Sequence, residues 1–174
     1  MLRRFALHHE TKEPIPEALL QSLLAARQFN QGFATVEYTA SALVDLALHL
    51  VSGADTIDIV GFEKKQLDKL GMPASITMRH RTPHFQHVFS GESYAAGYYS
   101  YLWSEVLAAD GFEAFEERGD IFDPIAAKKL HGHIYSSGYS RDPESAYKEF
   151  RGRAAKPGAL LRKRGLADAP GGEA

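Results

Sequence analysis

Apolar positions recur at helical spacing along most of this chain. In residues 17–29, Leu19, Leu20, Leu23, Leu24 and Ala26 share a stripe, which predicts a helix ended by Asn30, Gln31 and Gly32. Residues 33–51 predict a second, longer helix. Leu43, Val44, Leu46, Leu48 and Leu50 leave it apolar on several sides, the pattern of a buried helix. Residues 62–70 read as a short charged helix stopped by Gly71 and Pro73. An aromatic-rich run predicts a further helix over 92–117, with Gly111 as its weak point. Two Asp-Pro pairs then mark helix starts, because the carboxylate caps free amides and the proline sits where its missing N–H costs nothing. Asp123-Pro124 opens a helix to Ser137, stopped by Gly138, and Asp142-Pro143 opens another over 144–150. A last short helix spans 157–164 before Gly165. The first residues read as a helix end running into a turn punctuated by Pro14 and Pro16. Residues 73–83 are expected to be extended or loop, and 167–174 a disordered tail. The predicted fold class is all-α, with little or no strand, any extended structure falling between Thr56 and Thr82.

Composition narrows the classes. The 174 residues suffice for one domain, and 44% hydrophobic residues allow a sizeable core. A net charge of -2 gives no nucleic-acid surface, although Arg162, Lys163 and Arg164 are locally basic. The lack of cysteine excludes disulfides and thiolate metal sites and suits a cytoplasmic protein. No run is long and apolar enough to predict a membrane partner, and the first residues do not form a signal peptide.

The densest chemistry lies in 84–103, HFQHVFSGESYAAGYYSYLW. Tyr94, Tyr98 and Tyr101 stand at i, i+4 and i+7, so a helix would line them up on one face. Ala95, Ala96 and Gly97 add little bulk, and Gly91 lies in the loop that follows His87. A phenol stays protonated at neutral pH and donates a hydrogen bond. Two such donors with an imidazole can hold a peptide carbonyl as it becomes an oxyanion. A buried stripe whose hydroxyls find backbone partners is the alternative, and the stripe alone favours it.

The whole stretch resembles the C-terminal part of the thimet oligopeptidase, neurolysin and peptidyl-dipeptidase family of zinc metallopeptidases, most strongly the bacterial peptidyl-dipeptidases. The segments FNQGFATVEY (29–38), SALVDLALH (41–49), FRGRA (150–154) and ALLRKRGL (159–166) extend the likeness in the family's order. The resemblance implies that residues 1–166 are a helical catalytic-domain segment of a neurolysin-like enzyme cleaving short peptides. It implies that Tyr101 donates to the oxyanion, that His87 bonds the substrate backbone and that Tyr94 contacts substrate across the loop. Tyr98 and Gly91 are expected to bind substrate, Gly91 through loop mobility. Related sequences often carry more glycine where this one has Glu92 and Ser93, which bears on that mobility.

In this family zinc is held by HExxH and a glutamate on a following helix. No HExxH occurs here: His9-Glu10 begins like one, but Glu13 stands where the second histidine belongs. By resemblance the metal-binding half lies upstream, so the chain itself is expected to hold no cofactor and to be inactive alone, zinc belonging to the complete enzyme. The missing N-terminal portion, or self-association, is then the expected partner. A local metal face from His80, His84 and His87 is disfavoured by Pro83, and His131 and His133 are two apart, so they would diverge on a helix. Asp45 and His49 are read as an ordinary i, i+4 pair, and Trp103 as core. A second reading is a non-catalytic helical module that binds peptides or partners through the Tyr94, Tyr98 and Tyr101 face.

Overall fold

The computed structural model describes residues 1–53 and 56–167, and the regular structure there is helical. The helices are α1 (Leu2–Phe5), α2 (Glu17–Ala26), α3 (Gln31–His49), α4 (Ile59–Lys69), α5 (Gln86–Phe89), α6 (Tyr99–Glu116), α7 (Pro124–Leu130), α8 (Pro143–Arg151) and α9 (Gly158–Lys163). A 3-10 turn, Thr82–His84, leads into α5, and a π-helical turn, His131–Tyr135, prolongs α7. Among the described residues, the only strand-like pairing is one antiparallel bridge between Leu7 and Pro14. The all-α expectation holds. The tail expected over 167–174 lies, from residue 168 onward, outside the described residues. No described helix is long and apolar enough to cross a membrane.

Capping carboxylates set several helix starts. Asp123 Oδ1 accepts from the amides of Ile125 and Ala126, and Asp142 accepts from that of Ser145, as the Asp-Pro pairs predict. Asp58 caps α4 through the Gly61 amide, which starts that helix earlier than its charged stretch suggests. The joint between α2 and α3 is made by Asn30 at φ 58, so α3 already begins at Gln31. Gly111 does not weaken α6. A Cβ there would lie 3.5 Å from the Phe150 ring, an ordinary contact distance, so α8 packs over this point of the helix.

Two cores result. Ala40 and Val44 of α3, Leu67 of α4, Met78, Phe85 and Val88 form one, with Met72 and Tyr98 packed on its edge. Burying a side chain such as Phe85 or Val88 stabilises by about 1.5–3 kcal/mol. The other joins Val106 and Ala109 of α6 to Ala159 and Leu160 of α9. Arg164, just past α9, donates to Thr35 Oγ1 at 2.8 Å and pairs with Glu105, tying this end back to α3 and α6. Two expectations fail here. Phe33, Val36 and Leu43 of α3 are exposed, because only the face toward α4 and α6 is covered. Trp103 is 49% exposed, on the rim of an apolar groove of about 820 Å3 lined by Leu107, Phe112, Ile134 and Tyr135 among others.

A buried polar knot joins α6 to α8. Asp110 is fully buried, and its Oδ2 accepts the Tyr147 hydroxyl at 2.6 Å and lies 3.3 Å from Arg151 Nε. Arg153 Nη1 approaches Oδ1 to 2.7 Å at an angle that makes an ion-pair contact and not an aligned hydrogen bond. Arg151 also grips Glu117 through two 2.8 Å bonds. Burial pushes the Asp110 carboxyl up, but the Tyr147 hydroxyl, Arg153 and Arg151 outweigh it and hold it below the ordinary value.

Candidate functional site

The tyrosines meet, though not by the route their spacing suggests. α6 begins at Tyr99, so Tyr94 and Tyr98 precede the helix and share no helical face with Tyr101. Instead the chain makes two successive turns, closed by Tyr94 N–H to Gly91 O at 3.0 Å and Gly97 N–H to Tyr94 O at 3.1 Å. Within the second of them Ala96 stands at φ 56, a left-handed conformation that a right-handed helix does not contain. At Gly97 a Cβ would sit 3.1 Å from the Tyr94 carbonyl oxygen, a tight contact that would press on the turn.

The folded loop gathers its rings around His87 at the start of α5. The ring centroids of Tyr94, Tyr98 and Tyr101 lie 5.0, 5.7 and 5.7 Å from that of His87. Tyr101 Oη is 3.2 Å from His87 Nε2. Tyr94 and Tyr101 are about half exposed. Tyr98 is different. It packs edge-on to Phe85 at 4.7 Å and stacks on Tyr38 at 4.9 Å, and burial pushes its phenol up. Gly91 is exposed, with open space where a side chain would project.

Two buried carboxylates hold this arrangement; the sequence gives no sign of Glu63, and Asp45 reads there only as a helix pair with His49. Glu63 of α4 accepts from Arg81 Nε and from the Thr82 amide, both at 2.6 Å, which fixes the 3-10 turn leading to His87. Asp45 of α3 accepts from the amides of Ala96, at 3.2 Å, and Tyr98, at 3.0 Å. His49 Nδ1 lies 2.8 Å from Asp45 Oδ1, 3.0 Å from the Asp45 carbonyl and 3.3 Å from the Ala96 nitrogen. With two oxygens closer, Nδ1 is the donor, and the Ala96 N–H goes to Asp45 alone. Tyr38 adds a hydrogen bond to the Tyr98 carbonyl oxygen, and burial first, then Tyr98, pushes the Tyr38 phenol up to about 12. Tyr38, Asp45 and His49 fall at i, i+7 and i+11, one stripe of α3. Polar residues at helical spacing in an otherwise apolar helix were the available signal.

Among the described residues, no three His, Asp or Glu side chains converge as metal ligands would. His80 stacks on Phe85, His84 lies in the 3-10 turn and His87 faces the tyrosines. The described residues around His87 do not fit a zinc ion, and its imidazole and phenols can offer hydrogen bonds.

Curated proteins resemble the chain over most of its length. The chain is 39% identical to oligopeptidase A of Haemophilus influenzae over 161 residues, 91% of this chain and 23% of the relative. It is 36% identical to dipeptidyl carboxypeptidase of Escherichia coli over 166 residues, 94% of this chain and 24% of the relative. With a probable cytosolic oligopeptidase A of Arabidopsis thaliana it shares 39% identity over 173 residues, 95% of this chain and 24% of the relative. The chain thus spans about a quarter of the length of the curated relatives it matches. The model of Peptidase family M3 matches residues 1–166, so the chain belongs to that family.

Proposed function

We propose that residues 1–166 are the C-terminal catalytic-domain segment of a peptidase acting on short peptides, in the manner the names oligopeptidase A and dipeptidyl carboxypeptidase describe. Tyr101, His87 and Tyr94 would supply the donors for the substrate carbonyl, with Tyr98 and Gly91 shaping the loop beside it. The observation that carries this reading is the pairing of Tyr101 Oη with His87 Nε2 at 3.2 Å on an exposed edge. Core tyrosines direct their hydroxyls to buried backbone; Tyr94 and Tyr101 are half exposed, and the Tyr101 hydroxyl meets an imidazole instead.

An imidazole protonated on Nε2 donates to the Tyr101 oxygen and leaves the phenol hydrogen free for an incoming oxyanion. Each bond polarises the next, so the pair donates more strongly than either alone. The loop turns place the groups in advance, so little reorganisation is needed as charge develops. Zinc would belong to the complete enzyme and be held by residues outside this chain, which would be inactive alone. A cytoplasmic location and a lack of nucleic-acid or membrane partners complete the reading. The groove beside Trp103 supports a polypeptide partner, either the rest of the longer protein or a second copy.

The test is Tyr101→Phe in an intact homologous enzyme carrying this segment. Turnover should fall about 100- to 1000-fold, as for the loss of an oxyanion donor, at unchanged zinc content. KM should move little, because the contact strengthens only as the carbonyl gains charge. Full turnover in Tyr101→Phe would reduce the cluster to packing.

A further inference from the structure

We infer that Asp45, oriented by His49, is the positioning residue of the tyrosine loop: it holds the Ala96 and Tyr98 amides so that Tyr94, Tyr98 and Tyr101 stay gathered on His87. The inference rests on the peptidase reading for its kinetic part only. Asp45 is 2% exposed, and its two oxygens receive the loop's two amides at 3.2 and 3.0 Å. A buried carboxylate is costly unless each lone pair is used, and here the partners are backbone N–H groups of the loop and the His49 imidazole.

The geometry makes this more than an i, i+4 helix pair. Ala96 sits in a conformation that disfavours any residue with a Cβ, and something must hold it there. The amides on either side of Gly97 are the ones that Asp45 takes. Without them the run from Tyr94 could continue α6 backward, as its spacing predicts. That would carry Tyr94 and Tyr98 onto one helical face and away from the ring of His87. Tyr38 grips the Tyr98 carbonyl from the same helix, so α3 reads both polar groups of the Tyr98 residue. Asp45 touches no substrate position; it acts through the loop.

The test has two arms. In this chain, Asp45→Asn keeps the shape but turns an amide N–H2 toward the loop's own donors. Hydrogen exchange at the Ala96 and Tyr98 amides should quicken by about 10-fold or more, as for the loss of a hydrogen bond to a charged group. Amides in the middle of α4 should not change. His49→Leu should loosen the loop in the same way, and His49→Asn, which keeps a donor near the Nδ1 position, should restore it. In an intact homologous enzyme carrying the segment, Asp45→Asn should lower kcat by about 10-fold with KM within twofold and zinc content unchanged. Unaltered exchange at Ala96 and Tyr98 overturns the inference. Quickened exchange with unchanged kcat, where Tyr101→Phe is impaired, overturns its kinetic part. A harmless Tyr101→Phe defeats the peptidase reading instead, a result on which the exchange rates do not depend.

Discussion

Tyr147→Phe should destabilise the chain by about 1.5–2 kcal/mol, and the structure sets that range. The substitution removes one hydroxyl and keeps the ring that packs edge-on to Phe150. The lost bond is 2.6 Å long and ends on a buried carboxylate oxygen of Asp110. Hydrogen bonds to charged groups contribute about 1.5–3 kcal/mol. The lower half applies because Asp110 keeps Arg151 on one oxygen and Arg153 near the other. The Leu107 carbonyl, 3.2 Å from the same hydroxyl, adds little, since one O–H donates mainly to one acceptor. At about 2–4 °C per kcal/mol for a chain of this size, Tm should fall by about 3–8 °C. The assay is urea unfolding followed by circular dichroism, with the slope unchanged and the midpoint lowered. Its pH dependence gives a second check. The Asp110 carboxyl is held below its ordinary value when folded, so the stabilisation is full above the unfolded carboxylate pKa of about 3.9. It is lost as pH falls through the folded pKa. The gap between the two proteins should therefore be full at neutral pH and shrink in acid. A gap under about 0.5 kcal/mol at neutral pH, or one that widens in acid, would refute the reasoning.

Two further outcomes are expected. Asp142→Ala removes the cap on the Ser145 amide and should lower stability; Asp123→Ala should lower it more, since it uncaps two amides, those of Ile125 and Ala126, and thermal unfolding of each variant checks the order. The groove beside Trp103 should bind a hydrophobic dye and drive concentration-dependent association, with Trp103→Glu weakening both at little cost in stability; sedimentation velocity showing a dye-silent monomer at all concentrations would count against it.

The helices were legible because their signals are local. An Asp before Pro, a stripe of leucines or a closing glycine acts within one or two turns, and α7, α8 and α9 begin where such signals put them. The tyrosine run was misread as helix for the same reason. Its spacing is helical, yet Asp45, some fifty residues earlier, takes the amides that a helix would have used. A long-range partner overrode local preference, and periodicity carries no trace of it. The candidate site residues came from a motif, while Glu63 looked like one charge among several on a solvated helix. Trp103 and the outer face of α3 were expected inside because apolar character says that a surface is covered, not what covers it.

The tie from Arg164 to Thr35 has a consequence for the order of events in time. It joins residues 129 apart, whereas Tyr101 and His87 are separated by 14 and the loop reaches Asp45 across about 50. Contacts so distant pay the largest closure entropy and tend to form after the nearer ones. The imidazole and its phenols can therefore assemble on a nascent chain before α9 has been synthesised. Contacts made late are weak in the transition state, so weakening Arg164 would quicken unfolding and leave the folding rate almost unchanged. The far end of the segment governs how long the histidine–tyrosine cluster persists, not how fast it appears.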